Sequence, residues 1–190
     1  SNDLAPALTA KTTGDGTAGA INITSGNLEA ITSSSDNLLA LIDTHTSGTG
    51  TAGNVTIDAG DLHAINAAYF IDSGSAGPGH GGDVSISGTN VHMQESSIAT
   101  GDARFGQRQG QEVTGSAGNL TITASDSLKI ETATITTEAF LARAGNLTLE
   151  AGDIHITGNS FVSVDGDLGG ATITVDADRL TIDTASQLNS

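Results

Sequence analysis

One short motif recurs along the chain and limits the folds that the chain can adopt. Its best copies read Gly-Asn-Φ-Thr-Φ, where Φ is an aliphatic residue. The copies begin at Gly19, Gly53, Gly82, Gly118, Gly145 and Gly170. Successive copies, measured between equivalent residues, lie 34, 29, 36, 27 and 26 residues apart. Self-similarity at such a period is typical of solenoid proteins, in which every repeat is one structural unit.

Each repeat contains three segments that predict short strands. Aliphatic and polar residues alternate within the motif, which is the period-two pattern of a half-buried strand. A second alternating segment follows the motif, as at Leu128 and Ile130. A third segment comes about five residues later, around Tyr69, Ile98, Ile135 and Phe161. A Gly-rich stretch of variable length then leads to the next motif.

Three strands per repeat of about 30 residues predict an all-β chain that forms a single-stranded parallel β-helix of about six coils. Equivalent aliphatic residues would then stack in interior columns, for example Leu120, Leu147 and Ile173. We expect one domain over residues 1–190, with residues 1–18 as an irregular lead-in or weak cap and repeats from residue 19 onward. The rival fold, a β-propeller, needs four strands per blade.

Composition and charge restrict the partners. The chain has 22 acidic and 6 basic residues, for a net charge of −16. Such a chain has little with which to displace the counterions of a nucleic acid, so we expect no nucleic-acid partner. No apolar run reaches the roughly 18 residues of a membrane span, so we expect no membrane insertion. The chain has no Cys, which excludes a disulfide scaffold and Cys-ligated metals.

The repeats resemble those of filamentous-haemagglutinin-type exoproteins, the secreted partners of bacterial two-partner secretion systems. The resemblance is carried by Ala117-Gly118-Asn119-Leu120-Thr121-Ile122-Thr123-Ala124 with the segments that follow it, and by residues 52–64 and 144–163. It implies a right-handed parallel β-helix that is exported to the extracellular space or the bacterial cell surface and acts as an adhesin or surface filament. The chain departs from that family in lacking its N-terminal secretion domain.

Neither end of the repeat array looks finished. The segment from Leu180 onward reads as a further repeat in progress. An open β-helix end exposes strand edges that natural proteins usually cover. We therefore expect the chain to belong to a longer β-helix, or its ends to pair with other copies of itself.

The segments that return to the motif are longest at residues 33–50 and 101–116. In solenoids, insertions of this kind often mark the interacting face. The second insertion contains Arg104, Phe105 and Arg108, a small cationic and aromatic group on an acidic chain. These residues are candidates for contact with a partner, such as a protein or glycan of a host or neighbouring cell. The alternative is that Phe105 only packs onto the coil beneath it.

Histidines recur at one position of the repeat. His63, His92 and His155 follow the first aliphatic residue of the second segment, and Lys129 takes this position between the last two. On a β-helix, His63 and His92 would lie about 5 Å apart on successive coils. Such a pair could share a metal ion or respond to pH, although two ligands without a third make a poor zinc site. The alternative is simple stacking of equivalent residues.

Other candidate chemistry is weaker, and we predict no cofactor. Asp165 and Asp167 lie in an acidic, Gly-rich stretch that leaves calcium open. The outward carboxylates Asp58, Glu150 and Asp176 are interrupted by Ser87 and Thr123, so we predict that the chain is not an enzyme. The outward Thr residues of the motif admit ice binding, and the Asn-x-Thr triplets admit glycosylation, but both follow from the repeat itself.

The sequence therefore predicts a structural or adhesive shaft segment of a secreted bacterial surface protein, which displays loops from a stiff rod. A self-assembling extracellular fibre subunit that stacks end to end is the second hypothesis. A β-helix that binds or cleaves carbohydrate is the third.

Overall fold

The computed structural model describes residues 8–31, 41–102, 114–169 and 171–190. Over these residues the regular structure is all β, in thirteen strands with no helix. The strands are β1 (Leu8–Thr12), β2 (Ile21–Ile31), β3 (Ile42–Thr46), β4 (Val55–Ile65), β5 (Ile71–Ser75), β6 (Val84–Gln94), β7 (Ser97–Asp102), β8 (Leu120–Glu131), β9 (Thr134–Ala139), β10 (Leu147–Thr157), β11 (Phe161–Gly166), β12 (Ile173–Ile182) and β13 (Gln187–Asn189).

The strands form two parallel sheets that share one core. The even-numbered strands make a sheet in the order β12-β10-β8-β6-β4-β2, which we call the long sheet. The odd-numbered strands make the short sheet, in the order β1-β3-β5-β7-β9-β11-β13. Because the chain alternates between the two sheets, each strand pairs with the strand two elements away. This arrangement is consistent with a β-helix-like fold.

The predicted division of each repeat into three short strands is wrong, because the motif and the second segment form one long strand. In β10 (Leu147–Thr157) the residues between them continue the ladder against β12, from Ala151 opposite Ala177 to Asp153 opposite Arg179. Where β8 is longer by one residue, a bulge absorbs the difference. The third predicted segment is the short strand, so each repeat has two strands.

The predicted interior columns are confirmed. Leu120, Leu147 and Ile173 are in register on β8, β10 and β12, and the first two are fully buried. Aliphatic residues of both sheets belong to one core cluster. On the short sheet the core residues are displaced from the prediction, since Ile71 and Val162, not Tyr69 and Phe161, align in the column of Ile98 and Ile135.

Buried hydroxyl groups on the inner face of the short sheet hold the start of the motif. The Oγ of Ser73 donates to the carbonyl of Gly82 at 2.9 Å, and the Oγ1 of Thr100 donates to that of Gly118 at 2.7 Å. A Cβ on Gly118 would stand 2.1 Å from the carbonyl oxygen of Gly82. The motif begins with Gly because successive repeats approach too closely at this point for any side chain.

The region predicted as an irregular lead-in, residues 1–18, contains a strand. β1 pairs with β3 in register from Leu8 opposite Ile42 to Thr12 opposite Thr46. The Nζ of Lys11 also makes an ion pair with the Oδ2 of Asp43, at 2.6 Å. This part of the lead-in therefore forms one edge of the short sheet.

Candidate functional site

The predicted histidine column lies on the outer face of the long sheet. Strand pairing sets His63 beside His92, His92 beside Lys129, and Lys129 beside His155. The ring centroids of His63 and His92 are 5.9 Å apart, and their planes meet at 71°. The two imidazoles are thus neighbours at nearly the predicted separation.

A carboxylate orients one of these two rings. The Nε2 of His92 lies 2.6 Å from the Oε2 of Glu131, a residue of β8. An ionised carboxylate only accepts hydrogen bonds, so Nε2 must carry the proton and donate it to Glu131. In the neutral ring, Nδ1 then keeps its lone pair and is the nitrogen available to a ligand.

A row of hydrogen-bonded polar side chains runs beside the histidine column. The Nδ2 of Asn90 donates to the Oδ1 of Asp61 at 2.9 Å, and the Oγ of Ser127 donates to the Oδ1 of Asn90 at 2.7 Å. Together with the histidines, this row lines an open depression with a volume of about 250 Å³. Its lining residues are Asp61, His63, Asn90, Val91, His92, Ser127 and Lys129. The depression therefore presents both hydrogen-bond donors and acceptors, from side chains that are held in place by hydrogen bonds to one another.

The outward carboxylates of the motif are separated along the sheet as the sequence predicts. Glu150 lies beside Asp176 on one side and beside Thr123 on the other. Asp58 is two strands of the long sheet beyond Thr123, and its Oδ1 accepts a hydrogen bond from the Oγ of Ser87 at 3.1 Å. Retaining and inverting glycosidases need two carboxyl groups within about 5–10 Å of each other. Among these three outward carboxylates, only Glu150 and Asp176 are on adjacent strands. That the chain is not an enzyme stays a prediction.

The calcium candidates lie at the end of β11 and just after it. Asp165 and Asp167 are both exposed, and the Oδ2 of Asp167 accepts a hydrogen bond from the N–H of Leu141 at 3.2 Å. No group of three or more His, Cys, Asp or Glu side chains in the described ranges is arranged to hold a metal ion. Calcium binding here stays a prediction.

The predicted partner-binding residues, Arg104, Phe105 and Arg108, lie outside the described residues. Their role also stays a prediction. Across the part of the chain that the structure describes, no helix is long and apolar enough to cross a membrane.

Sequence reasoning missed the role of Asn in the motif. The Oδ1 of Asn119 accepts a hydrogen bond from the N–H of Asn146, and the Oδ1 of Asn146 accepts one from the N–H of Thr172, each at 3.0 Å. Asp83 plays the same part for the N–H of Asn119, at 2.8 Å. We call this row the Asn ladder. The sequence signal was the Asn or Asp that follows Gly in four of the six copies of the motif. These hydrogen bonds give that preference a structural reason that is independent of glycosylation.

A buried pair of carboxylates on the short sheet was also missed. Asp43 and Asp72 are partners in the pairing of β3 with β5, and they are only 7% and 6% exposed. Lys11 balances the charge of Asp43. The sequence contains an Ile-Asp dipeptide at both positions, which could have indicated that the two Asp residues are equivalent. However, the alternation of apolar and polar residues assigns an Asp that follows a buried Ile to the exposed face of a strand.

Comparison with known proteins identifies no relative. No protein-family model matches the chain. Neither a curated protein nor a solved structure matches it.

Proposed function

We propose that the chain is a structural or adhesive shaft segment of a secreted bacterial surface protein, folded as a closed, right-handed parallel β-helix. The observation that carries this proposal is the register of the long sheet. Every adjacent pair of long strands is aligned over most of its length, so that aliphatic residues meet aliphatic residues. Right-handed crossovers are the rule for parallel strands. Secretion and the bacterial surface rest on the resemblance of the repeats alone.

Continuous ladders and columns make a stiff rod. Six long strands spaced about 4.8 Å apart correspond to a rod of roughly 30 Å. Bending such a rod would stretch hydrogen bonds and open the packed interior on one side. A rod of this kind carries loops at intervals of one coil, which suits a shaft or a spacer at a cell surface.

Both ends of the long sheet expose core-type residues. At β12 the exposed fractions of Leu180 and Ile182 are 45% and 41%. At β2 the core-facing Leu28 is only partly buried, whereas its partner Leu62 on β4 is fully buried. Beside β2 lies an apolar depression of about 220 Å³, walled in part by Leu28 and Phe70. Covering these surfaces with further coils would remove apolar area from water. The ends therefore fit a rod that continues in both directions.

The second candidate, a fibre subunit, is favoured by the match between the two ends. If β12 of one copy paired with β2 of another, Ile173 would meet Ile21 and Leu180 would meet Leu28. The short sheet opposes this arrangement, because it ends in β1 on one side and β13 on the other. The incoming β1 would arrive at the place that β13 occupies. Stacking on both sheets requires either β13 or the incoming β1 to move away, and we therefore prefer the shaft.

Electron microscopy of the purified chain tests the two candidates. We expect negative-stain images to show single rods of constant length over a concentration series, with and without CaCl₂. Light scattering should give the mass of one chain throughout. Filaments that lengthen with concentration would overturn the shaft in favour of the fibre subunit.

A truncated chain that ends at residue 185 is the matched variant, since it lacks β13. Filaments formed by this variant alone would show that the ends are complementary and that β13 keeps the intact chain from stacking. Monomeric rods from both chains would remove the argument for the fibre subunit.

The adhesive part of the proposal needs its own experiment. We expect fluorescently labelled chain to bind host cells or a glycan array, and the triple variant Arg104→Ala/Phe105→Ala/Arg108→Ala to lose this binding. Lys129→Ala is the control, because it removes a cation from the long sheet instead. Equal binding by both variants would exclude the loop as the contact. Release of reducing ends from a polysaccharide would instead support the third hypothesis, a carbohydrate-cleaving β-helix.

A further inference from the structure

We propose that His63 and His92 form a binding site for one divalent transition-metal ion, with Cu²⁺ as the preferred ion. A metal–nitrogen bond of about 2.0 Å puts the ion about 3 Å from the centre of an imidazole ring. Two rings that share one ion therefore have centroids up to about 6 Å apart. The observed separation is 5.9 Å, with the rings nearly perpendicular. To bind, the two side chains must rotate so that one nitrogen of each ring points at a common ion.

Glu131 prepares His92 for this role. Metal-binding histidines usually donate their second ring N–H to a carboxylate, which fixes the tautomer and makes the ligating nitrogen more basic. The contact between Nε2 of His92 and Oε2 of Glu131, at 2.6 Å, has this form. It leaves Nδ1 of His92 as the ligand.

The surroundings favour a cation with open coordination positions. Asp61 lies on the same outward face as His63 and lines the same depression, and the whole chain carries a net charge of −16. Lys129, beside His92, acts against binding. The described residues supply no third ligand in place. Water must complete the shell, which suits the tetragonal preference of Cu²⁺ better than the closed tetrahedral sites of Zn²⁺.

Titration calorimetry with CuCl₂ on the whole chain tests the site, with electron paramagnetic resonance to identify nitrogen ligands. We expect one Cu²⁺ per chain at micromolar affinity, with nitrogen hyperfine structure from two imidazoles, and weaker binding of Zn²⁺. His63→Gln and His92→Gln should each weaken Cu²⁺ binding at least tenfold. Glu131→Gln should weaken it about tenfold, the usual effect of losing such a carboxylate.

Two controls separate this site from other sources of binding. His155→Gln should leave the affinity unchanged, because strand pairing puts Lys129 and Thr181 beside His155. Lys129→Gln should strengthen Cu²⁺ binding severalfold, because it removes a positive charge beside His92. Cu²⁺ bound to carboxylates elsewhere on the surface would not respond to this change. Circular dichroism of every variant verifies folding.

Equal Cu²⁺ binding by wild type and the His63→Gln/His92→Gln double variant would overturn the proposal, since the amino terminus or surface carboxylates would then hold the ion. The absence of Cu²⁺ binding at 100 µM CuCl₂ would also overturn the proposal, because this concentration is about a hundredfold above the expected micromolar dissociation constant. The copper site is independent of the proposed shaft function. Neither the presence nor the absence of Cu²⁺ binding changes the result expected from electron microscopy.

Discussion

At the scale of the residue, the polar side chains that matter most are those that join one repeat to the next. The Asn ladder does this at the start of the long strands, and the hydroxyl groups of Ser73 and Thr100 do it inside the short sheet. These contacts satisfy backbone groups where the chain turns into a strand. Their contribution to stability depends on their position in the repeat. An Asn at another position, such as Asn22, is only an exposed surface residue.

Replacing Asn119 by Ala should lower the free energy of unfolding by about 1 kcal/mol. The change removes the acceptor of the Asn146 N–H and a hydrogen bond from Nδ2 to Asp83, each of which is worth roughly 0.5–1.5 kcal/mol before water replaces part of it. Urea denaturation measures the difference. The control is Asn22→Ala, an exposed Asn of another Asn-x-Thr triplet on β2, which should change stability by less than about 0.5 kcal/mol. Equal losses would mean that the ladder has no special role.

Asp183 should contribute a pH-dependent part of the stability. Hydrogen bonds from the Ser186 side chain and then from the N–H of Gly158 hold the pKa of Asp183 below its usual value of 3.8. A lowered pKa in the folded state stabilises the fold above pH 3.8, and this stabilisation is lost as the pH falls through the lowered pKa. Asp183→Asn should therefore show a smaller loss of melting temperature between pH 6 and pH 3 than wild type.

The matched control for this pH prediction is Asp178→Asn, an exposed aspartate of β12 that is outside the hydrogen-bonded turn. Its acid-induced loss of melting temperature should follow that of wild type. If Asp183→Asn also follows wild type, the turn around Asp183 does not couple to folding.

Single residues were predictable where the repeat alone decides their place. His63 lies beside His92 because the two occupy one repeat position, and the period supplies that information. The bond from His92 to Glu131 was not predictable, because these residues lie 39 apart and differ in repeat position. The same holds for the burial of Asp43, which depends on what covers a strand face and not on its alternation.

At the scale of the element, alternation predicted the inward and outward faces of the long strands but not their length. Leu149 and Ile154 belong to one strand, although Ala151, Gly152 and Asp153 between them read as a break. Small and polar residues end a strand only where the chain leaves its neighbours. Here the strands on both sides maintain the ladder, and pairing overrides the weak strand propensity of these residues.

Leu147→Asp should abolish folding. Leu147 is fully buried between Leu120 and Ile173, and a carboxylate in that column would have neither a partner nor water. Its cost should exceed about 5 kcal/mol, which is comparable with the whole stability of many domains. Circular dichroism and a thermal melt measure the result.

Thr148→Asp is the control for this register test. Thr148 is the next residue on β10, and its side chain is on the outward face beside Thr121. The variant should fold and lose less than about 1 kcal/mol, mainly through repulsion from nearby carboxylates. A normal melt for Leu147→Asp would show that the register is wrong.

At the scale of the whole molecule, repulsion among the acidic residues destabilises the fold, and dissolved salt can weaken this repulsion. A net charge of −16 on a chain of 190 residues repels itself in the folded state. Raising NaCl from about 0.01 M to about 0.1 M shortens the Debye length from about 30 Å to about 10 Å. We expect the melting temperature to rise by several degrees over this range.

CaCl₂ at matched ionic strength tests whether the salt effect is general. An equal rise would assign it to screening of the net charge. A larger rise with CaCl₂ that Asp165→Asn/Asp167→Asn removes would instead place a calcium site at these residues. A melting temperature that falls with NaCl would contradict the dominance of charge repulsion.

The alignment of equivalent residues also makes the chain a modular object whose length can change in whole units. Val84, Leu120 and Leu147 occupy one column on β6, β8 and β10. Excising residues 120–146 would join Asn119 directly to Leu147 and bring β6 against β10 with every interior column intact. Duplicating the same 27 residues would add one repeat, with one strand in each sheet. Unequal recombination between repeats would thus lengthen or shorten the chain by whole repeats and keep equivalent residues aligned.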